Sequence, residues 1–175
     1  MRNFLHITVL ALFLGCGSDG RVPVVQRSAP TSEQLIQENR DAIKLEDRDI
    51  DLYLARFGIE AQRSPRGIRY KILRDEPGDI VRSGQLAVVN YRVELLNGDT
   101  AYSTEPGRPE SFKVEMDDVE SGLHEAIQFL SPGDSAVIII PSYRAHGLIG
   151  DMDRIPMRSS VVYRLGLVKV SGVVR

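Results

Sequence analysis

The chain has 175 residues, of which 42% are hydrophobic and 26% are charged, and its formal net charge is −2. These values are ordinary for a globular protein and exclude disorder throughout the chain. No block of basic residues stands out, which argues against nucleic acid as a partner. The single cysteine, Cys16, excludes an intrachain disulfide, and the three histidines (His6, His124 and His146) are widely separated. We therefore expect no metal and no cofactor.

The first fifteen residues have the pattern of a secretory signal. Arg2 precedes an apolar run over residues 4–14, which is shorter than the roughly 20 residues that span a bilayer. Cys16 follows this run and Gly15, a pattern that resembles a bacterial lipobox, in which the signal is cleaved before an acylated cysteine. An ordinary signal peptide with an incidental cysteine is the alternative. We expect a signal peptide over residues 1–15, a lipid on Cys16 that attaches the chain to a membrane, and a flexible tether over residues 16–30.

Residues 31–62 are predicted to form a helical preface. Thr31 and Gln34 match a capping box, and apolar residues then recur at spacings near multiples of 3.6 up to a predicted C-cap at Gly58. Either one long helix or two short ones fits this pattern. The sparse apolar stripe favours an appendage that packs on the main domain over a dimerisation arm or spacer.

From Ser64 onward the hydrophobic period changes to two, which indicates strands. The predicted strands share this alternation or a short apolar run, and they lie at 68–72, 87–95, 101–104, 111–114, 136–140 and 161–170. Asn97-Gly98 predicts a type I′ hairpin turn with positive φ at both residues. Leu123, Ile127 and Leu130 predict a short amphipathic helix. The fold class is therefore α+β, an antiparallel sheet with one short helix packed on it, and a small β-barrel plugged by the helix is the alternative.

Five short motifs follow one another within residues 84–170. They are Gly84-Gln85 with Val88-Val89-Asn90-Tyr91, Asn97-Gly98, Val119-Glu120-Ser121-Gly122-Leu123, Ile140-Pro141-Ser142-Tyr143-Arg144-Ala145-His146-Gly147, and Ile155-Pro156. In this order they resemble the FKBP-type peptidyl-prolyl cis-trans isomerases. With the lipobox, the charged helical preface and the insert before Ile155-Pro156, the chain resembles the FKBP-type lipoproteins of Bacteroidetes, including the gliding-motility-associated group.

The resemblance implies an FKBP-like antiparallel sheet curled around one short helix, over residues 63–175. It implies a peptidyl-prolyl cis-trans isomerase that acts on proline-containing polypeptides without a cofactor. The implied setting is the bacterial cell envelope, where a lipoprotein on the periplasmic side of the outer membrane would assist the folding of exported proteins. The alternative is a catalytically weak or inactive binding or chaperone module for envelope complex assembly.

The resemblance also implies an apolar cup for a proline ring. Its implied lining residues are Tyr91, Tyr102, Phe112, Val119, Glu120, Leu123, His146, Ile155 and Tyr163. Phe112 and Ile155 are expected to form walls and Leu123 the floor. Glu120 is expected to donate its backbone N–H to a substrate carbonyl while its side chain faces solvent.

Three positions depart from the family pattern. Leu123 stands where many members have tryptophan, Ser103 where an acidic residue follows the hairpin aromatic, and His146 where a loop tyrosine is common. The loss of the acid removes a buried charge, so these differences predict weakened catalysis. Outside the cup, His124 is predicted to lie on the protein surface. Asp151 and Asp153 are predicted to lie in a solvated loop, because two carboxylates are too few ligands for a cation.

Overall fold

The computed structural model describes residues 29–172. The predicted signal peptide, the lipid on Cys16 and nearly all of the tether lie outside the described residues. The described helices are α1 (Ser32–Phe57) and α2 (Ser121–Ile127), and a 3₁₀ turn covers Ser142–Arg144. The described strands are β1 (Gln62–Arg63), β2 (Arg69–Arg74), β3 (Leu86–Leu95), β4 (Thr100–Ser103), β5 (Glu110–Lys113), β6 (Ser135–Ile140) and β7 (Val161–Ser171).

All seven strands form one antiparallel sheet in the order β1-β2-β6-β7-β3-β4, and β5 pairs with β3 beside β4. The predicted α+β fold, with an antiparallel sheet, a short helix and an N-terminal helix, is confirmed. Within residues 29–172 the outer strands β1 and β4 do not pair with each other. The sheet is therefore open, and the closed-barrel alternative is wrong.

Strand β6 lies in the middle of this sheet and is buried on both faces. Because successive side chains of a strand point to opposite faces, Val137 and Ile139 pack with α1 while Ile138 and Ile140 pack with the cluster around α2. This two-sided burial explains the continuous apolar run. A Cβ at Gly122 of α2 would lie 2.3 Å from the Ile140 Cγ2, so glycine permits the close packing of α2 on β6.

The β3–β4 hairpin is confirmed, but its predicted turn type is wrong. Gly98 has φ 99°, whereas Asn97 is not among the described non-glycine residues with positive φ. The Gly98 N–H donates to the Leu95 carbonyl at 2.9 Å, and the Leu95 N–H donates to the Asp99 carbonyl at 2.8 Å. These bonds close a loop of three residues with one left-handed position. The Asn97 carboxamide accepts from the Asp99 N–H at 3.0 Å, a local bond that stabilises this turn.

Helix α1 is one continuous helix of 26 residues with the predicted ends. The Gln34 N–H donates to the Thr31 hydroxyl at 3.3 Å, the Thr31 N–H donates to the Gln34 carboxamide at 2.8 Å, and Gly58 follows the helix at φ 62°. The prediction of a capping box and a glycine C-cap is confirmed. Neither helix in the described range combines the length and apolarity that a membrane crossing requires.

The second half of α1 packs on the face of the sheet opposite to α2. Ile50 and Tyr53 are buried against Val137, Ile139 and Val162. In the first half of the helix, by contrast, the apolar side chains are exposed, and these are Leu35, Ile36 and Ile43. The interpretation of the preface as a packing appendage therefore holds for its C-terminal half.

Polar contacts also fix α1 to the sheet. The Glu46 carboxylate accepts from the Ser142 N–H at 2.5 Å, from the Ser142 hydroxyl at 3.0 Å and from the Ser160 hydroxyl at 2.6 Å. The Arg69 guanidinium, which is 4% exposed, lies 3.2 Å from Asp47 and 3.3 Å from Asp51. Helix α1 is thus attached both to strand β2 and to the two ends of the long connection between β6 and β7.

Candidate active site

A cavity of about 710 Å³ is lined by strands β3, β4, β5 and β7, by α2 with the segment before it, and by the connection after β6. The predicted site residues that line it are Tyr91, Tyr102, Phe112, Val119, Glu120, Leu123, His146 and Tyr163. Ile155 does not line the cavity. It is 3% exposed within the core, and its N–H donates to the Asp151 carboxylate at 2.8 Å.

The inner surface of the cavity is apolar and aromatic. Leu123 and Phe112 are each 5% exposed and belong to the main core cluster. The Tyr91 and Tyr163 rings lie 6.0 Å apart between centroids at an angle of 57°, a favourable aromatic geometry. Tyr91 shares a face of β3 with Val89 and Val93 because side chains alternate along a strand. The cavity can therefore bury a small apolar ring.

The Glu120 side chain points into the structure, so the prediction that it faces solvent is wrong. Its Oε1 accepts from the Tyr163 hydroxyl at 2.6 Å and lies 3.0 Å from the His146 Nε2, and the side chain is 11% exposed. The physical reason is that the buried Tyr163 hydroxyl requires an acceptor. Burial, and then the Glu120 carboxylate, raise the pKa of Tyr163 well above its ordinary value.

The two other tyrosines of the cavity are arranged in the same way. The Tyr91 hydroxyl donates to the Glu110 carboxylate at 2.9 Å, and the Tyr102 hydroxyl donates to Asp151. Burial, followed by the bond to Glu110, raises the pKa of Tyr91 to about 12. The bond to Asp151, followed by burial, raises the pKa of Tyr102 to about 12. Each tyrosine hydroxyl of the cavity is therefore a neutral donor to a carboxylate.

The family model for FKBP-type peptidyl-prolyl cis-trans isomerases matches residues 78–168, which include all the lining residues. The chain belongs to the FKBP family. The match covers β3 to β6, α2 and most of β7, and it excludes α1.

Curated and solved FKBP proteins agree with this assignment. The chain is 27% identical to FK506-binding protein 2 of Dictyostelium discoideum over 67% of this chain and 92% of that protein. It is 28% identical to the isomerase FkpA of Escherichia coli K12 over 67% of this chain, but it covers only 44% of FkpA. A solved peptidyl-prolyl cis-trans isomerase from Pseudomonas syringae superimposes with a TM-score of 0.65 at 25% identity, covering 83% of this chain and 99% of that one.

Apart from Glu120, the acidic groups of this FKBP cavity come from positions outside the predicted lining. Ser103, which replaces the family acid, is exposed and does not line the cavity. Carboxylates reach the cavity instead from Glu110, Asp118, Glu120 and Asp151. The loop around Asp151 is exposed at Met152 and Asp153, as predicted, while the Asp151 side chain is half-buried and accepts from Tyr102. No local sequence pattern marks the bonds that hold Glu110, Glu120 and Asp151, since their tyrosine partners are 19, 43 and 49 positions away.

His124 lies behind the wall of the FKBP cavity, where it is half-buried at the protein surface. Its Nδ1 accepts from the Glu115 N–H at 2.9 Å, so its Nε2 carries the proton that is donated to the Asp117 carbonyl at 3.0 Å. Its ring meets the Phe112 ring edge-on at 5.7 Å between centroids. His124 therefore supports both Phe112 and the turn that leads to Glu120.

We predict that Tyr102→Phe raises the pKa of Asp151. Burial alone would raise this pKa, but hydrogen bonds from the Tyr102 hydroxyl and from the N–H groups of Asp153 and Ile155 lower it from 3.8 to about 2. A lowered folded-state pKa stabilises the protein above the unfolded-state value, and this stabilisation is lost as the pH falls through about 2. Removal of the Tyr102 hydroxyl should move the pKa upward and bring the loss of stability to a higher pH.

Carboxyl-carbon NMR titration of Asp151 measures this change. Tyr91→Phe is the matched control, because the Tyr91 hydroxyl donates to Glu110 instead. A value that stays at about 2 in Tyr102→Phe would show that the backbone N–H groups alone set the Asp151 pKa.

Proposed function

We propose that the chain is an FKBP-type peptidyl-prolyl cis-trans isomerase whose active site is the 710 Å³ cavity and whose substrates are proline-containing polypeptides. The observation that carries this proposal is the lining itself. The family segment brings Tyr91, Phe112, Leu123 and Tyr163 together around a space that suits a proline ring. No nucleophile or cofactor is required, because the reaction is a rotation about one amide bond.

The chemistry follows from amide resonance. Rotation about the X–Pro bond breaks this resonance, which creates a barrier of about 18–20 kcal/mol and makes the unaided reaction take tens to hundreds of seconds. The twisted amide has less charge separation than the planar one. A dry, aromatic cavity therefore stabilises the twisted state more than the ground state, and that difference is what accelerates a reaction.

The Glu120 N–H is the proposed donor to a substrate carbonyl. Glu120 is the N-cap residue of α2, and its N–H makes no hydrogen bond to any other described residue. A free N–H at the edge of an apolar cavity can hold a peptide carbonyl and so place the neighbouring proline over Leu123. In this arrangement the Glu120 carboxylate contacts Tyr163 and His146, and the Glu120 backbone N–H donates to the substrate.

A proline-peptide isomerisation assay of the full chain tests the proposal. We expect a rate above that of buffer, and we expect Phe112→Leu to lower kcat/KM by about tenfold, or about 1.4 kcal/mol of transition-state stabilisation. Phe129→Leu is the matched control, because Phe129 stacks on Tyr70 at 4.4 Å and does not line the cavity. A rate equal to that of buffer rejects the activity, and equal losses in both variants reject the cavity as its site.

A second candidate function is a binding or chaperone module with little catalysis. It is favoured by His146, whose Nε2 lies 3.0 Å from the protein's own Glu120 carboxylate and is thus already engaged within the protein. This function predicts that proline-containing peptides bind in the cavity without faster isomerisation. The same assay, combined with calorimetric peptide binding, separates the two functions.

We also propose that the protein is a lipoprotein of the bacterial cell envelope that assists the folding of exported proteins, as in the lipid-anchored FKBP group of Bacteroidetes. The support is the sequence: the signal over residues 1–15, Cys16 as the lipid acceptor and the tether over residues 16–30, which leads to α1. Metabolic labelling with a fatty acid should mark the wild-type chain and leave Cys16→Ala unlabelled. Equal labelling of both would exclude the anchor.

A further inference from the structure

Carboxylates surround the cavity on several sides. Those in its lining are Glu110 of β5, Asp118 and Glu120 before α2, and Asp151 in the connection after β6. No lysine or arginine belongs to the lining among residues 29–172. The site that receives the proline ring therefore combines apolar walls with an acidic border.

Hydrogen bonds hold most of these carboxylates at the cavity. Tyr91, Tyr163 and Tyr102 donate their hydroxyls to Glu110, Glu120 and Asp151 respectively. These donors are neutral, so they orient the carboxylates without cancelling their charge. Asp118 is exposed at the border.

Among residues 29–172, His146 and Arg154 approach this border, and neither places a permanent positive charge against a lining carboxylate. The His146 Nε2 lies 3.0 Å from Glu120 and carries charge only when protonated. The Arg154 guanidinium lies 5.3 Å from the Tyr102 ring centroid, and its Nε is 3.9 Å from Asp153 outside the lining. Glu110 and Asp118 have no basic side chain within 4 Å among the ion pairs of the described residues.

We propose that the cavity selects proline segments that carry lysine or arginine next to the proline and disfavours segments that carry aspartate or glutamate there. This inference rests on the proposed function, because it takes the cavity as the place where the X–Pro bond is held. When the proline ring enters the apolar part, the neighbouring side chains leave it along the acidic border. A basic side chain there gains attraction from several carboxylates, and an acidic one is repelled by them.

The size of the selection is set by solvent screening. A partly exposed charge pair changes affinity by about two- to fivefold. The gain for a lysine peptide and the loss for a glutamate peptide are separate factors, and their product is the ratio between the two peptides. We expect kcat/KM to differ by about tenfold between a lysine and a glutamate peptide at low salt. The difference should shrink at about 1 M salt, where the Debye length falls to about 3 Å.

The experiment compares three peptides that differ only in the residue before proline, which is Lys, Gln or Glu. Isomerisation by the full chain is measured at low and at high salt. We expect kcat/KM to fall in the order Lys, Gln, Glu at low salt. Equal values for the three peptides at low salt, with clear turnover, would overturn the selectivity and leave the isomerase function intact. No turnover of any of them, including the Gln peptide, would reject the function and this inference with it.

Paired variants assign the effect to the border. Glu110→Gln with Asp118→Asn removes two carboxylates, and the new carboxamide can still accept from the Tyr91 hydroxyl. We expect the Lys-to-Glu ratio to fall severalfold in this double variant. Glu105→Gln is the matched control, since Glu105 is exposed, pairs with Arg108 at 2.7 Å and does not line the cavity. An unchanged ratio in the double variant would overturn the proposed role of these carboxylates.

Discussion

A chain truncated to begin at Gly58 is expected to lose about 4 kcal/mol of its free energy of unfolding. The truncation removes Ile50 and Tyr53 and exposes the sheet residues beneath them, Val137, Ile139 and Val162. Full burial of one such side chain stabilises a fold by about 1.5–3 kcal/mol, and part of the sum is offset by the entropy of ordering the helix. Since a whole domain has a free energy of unfolding of about 5–15 kcal/mol, a truncation of this kind leaves the folded state only marginally stable.

Urea denaturation of the full and truncated chains measures this loss. A chain that begins at Arg40 is the matched control, because it also lacks residues 1–31 but loses only the first turns of α1, where the apolar side chains are exposed. We expect its unfolding midpoint to stay close to that of the full chain. If the truncated chain aggregates, Ile50→Ala in the intact chain replaces it, with an expected loss of about 2–5 kcal/mol. Unchanged stability in whichever of these two variants is measured would show that α1 is a spacer that does not support the fold.

Tyr163→Ala is expected to have the largest effect on activity, a decrease in kcat/KM of about 100-fold, or about 2.7 kcal/mol. The substitution removes a ring that is 5% exposed and faces Tyr91 across the cavity. It also removes the hydroxyl that holds Glu120. Truncation of a buried aromatic side chain costs about 3–5 kcal/mol of stability, so the melting temperature must be measured with the activity.

Tyr163→Phe is the control for the ring alone. It keeps the aromatic wall and deletes the hydroxyl, which leaves the Glu120 carboxylate beside His146. We expect a loss in kcat/KM of about fivefold or less, because the apolar surface that stabilises the twisted amide remains. A folded Tyr163→Ala protein with wild-type activity would show that the cavity is not where the reaction takes place.

The elements of the fold were predictable because their signals are local. The capping box at Thr31, the C-cap at Gly58 and the alternation along β3 each depend on residues that are neighbours in sequence. The apolar run of β6 indicated a central strand for the same reason. The type I′ turn is a local prediction that is wrong, because the Asn97 carboxamide accepts from the Asp99 N–H in a longer loop.

The candidate site was predictable only in its apolar part. The aromatic residues of the cavity occupy family positions, and the structure brings them together. The direction of the Glu120 side chain depends on Tyr163, which is 43 residues away, and the docking of Glu46 on Ser142 joins positions 96 apart. Contacts between residues so far apart in sequence depend on how the sheet and helices pack. A local sequence pattern does not reveal them.

The Glu46 carboxylate affects how much sequence variation the connection between β6 and β7 can accept. Glu46 bonds Ser142 at the start of the β6–β7 connection and Ser160 at its end, so both ends of the segment are held at one point of α1. The entropic cost of closing a loop between two fixed ends rises slowly with loop length, by about 0.6 kcal/mol for each doubling. Insertions and substitutions between these serines can therefore reshape the mouth of the cavity around Asp151 while β6 and β7 keep their pairing.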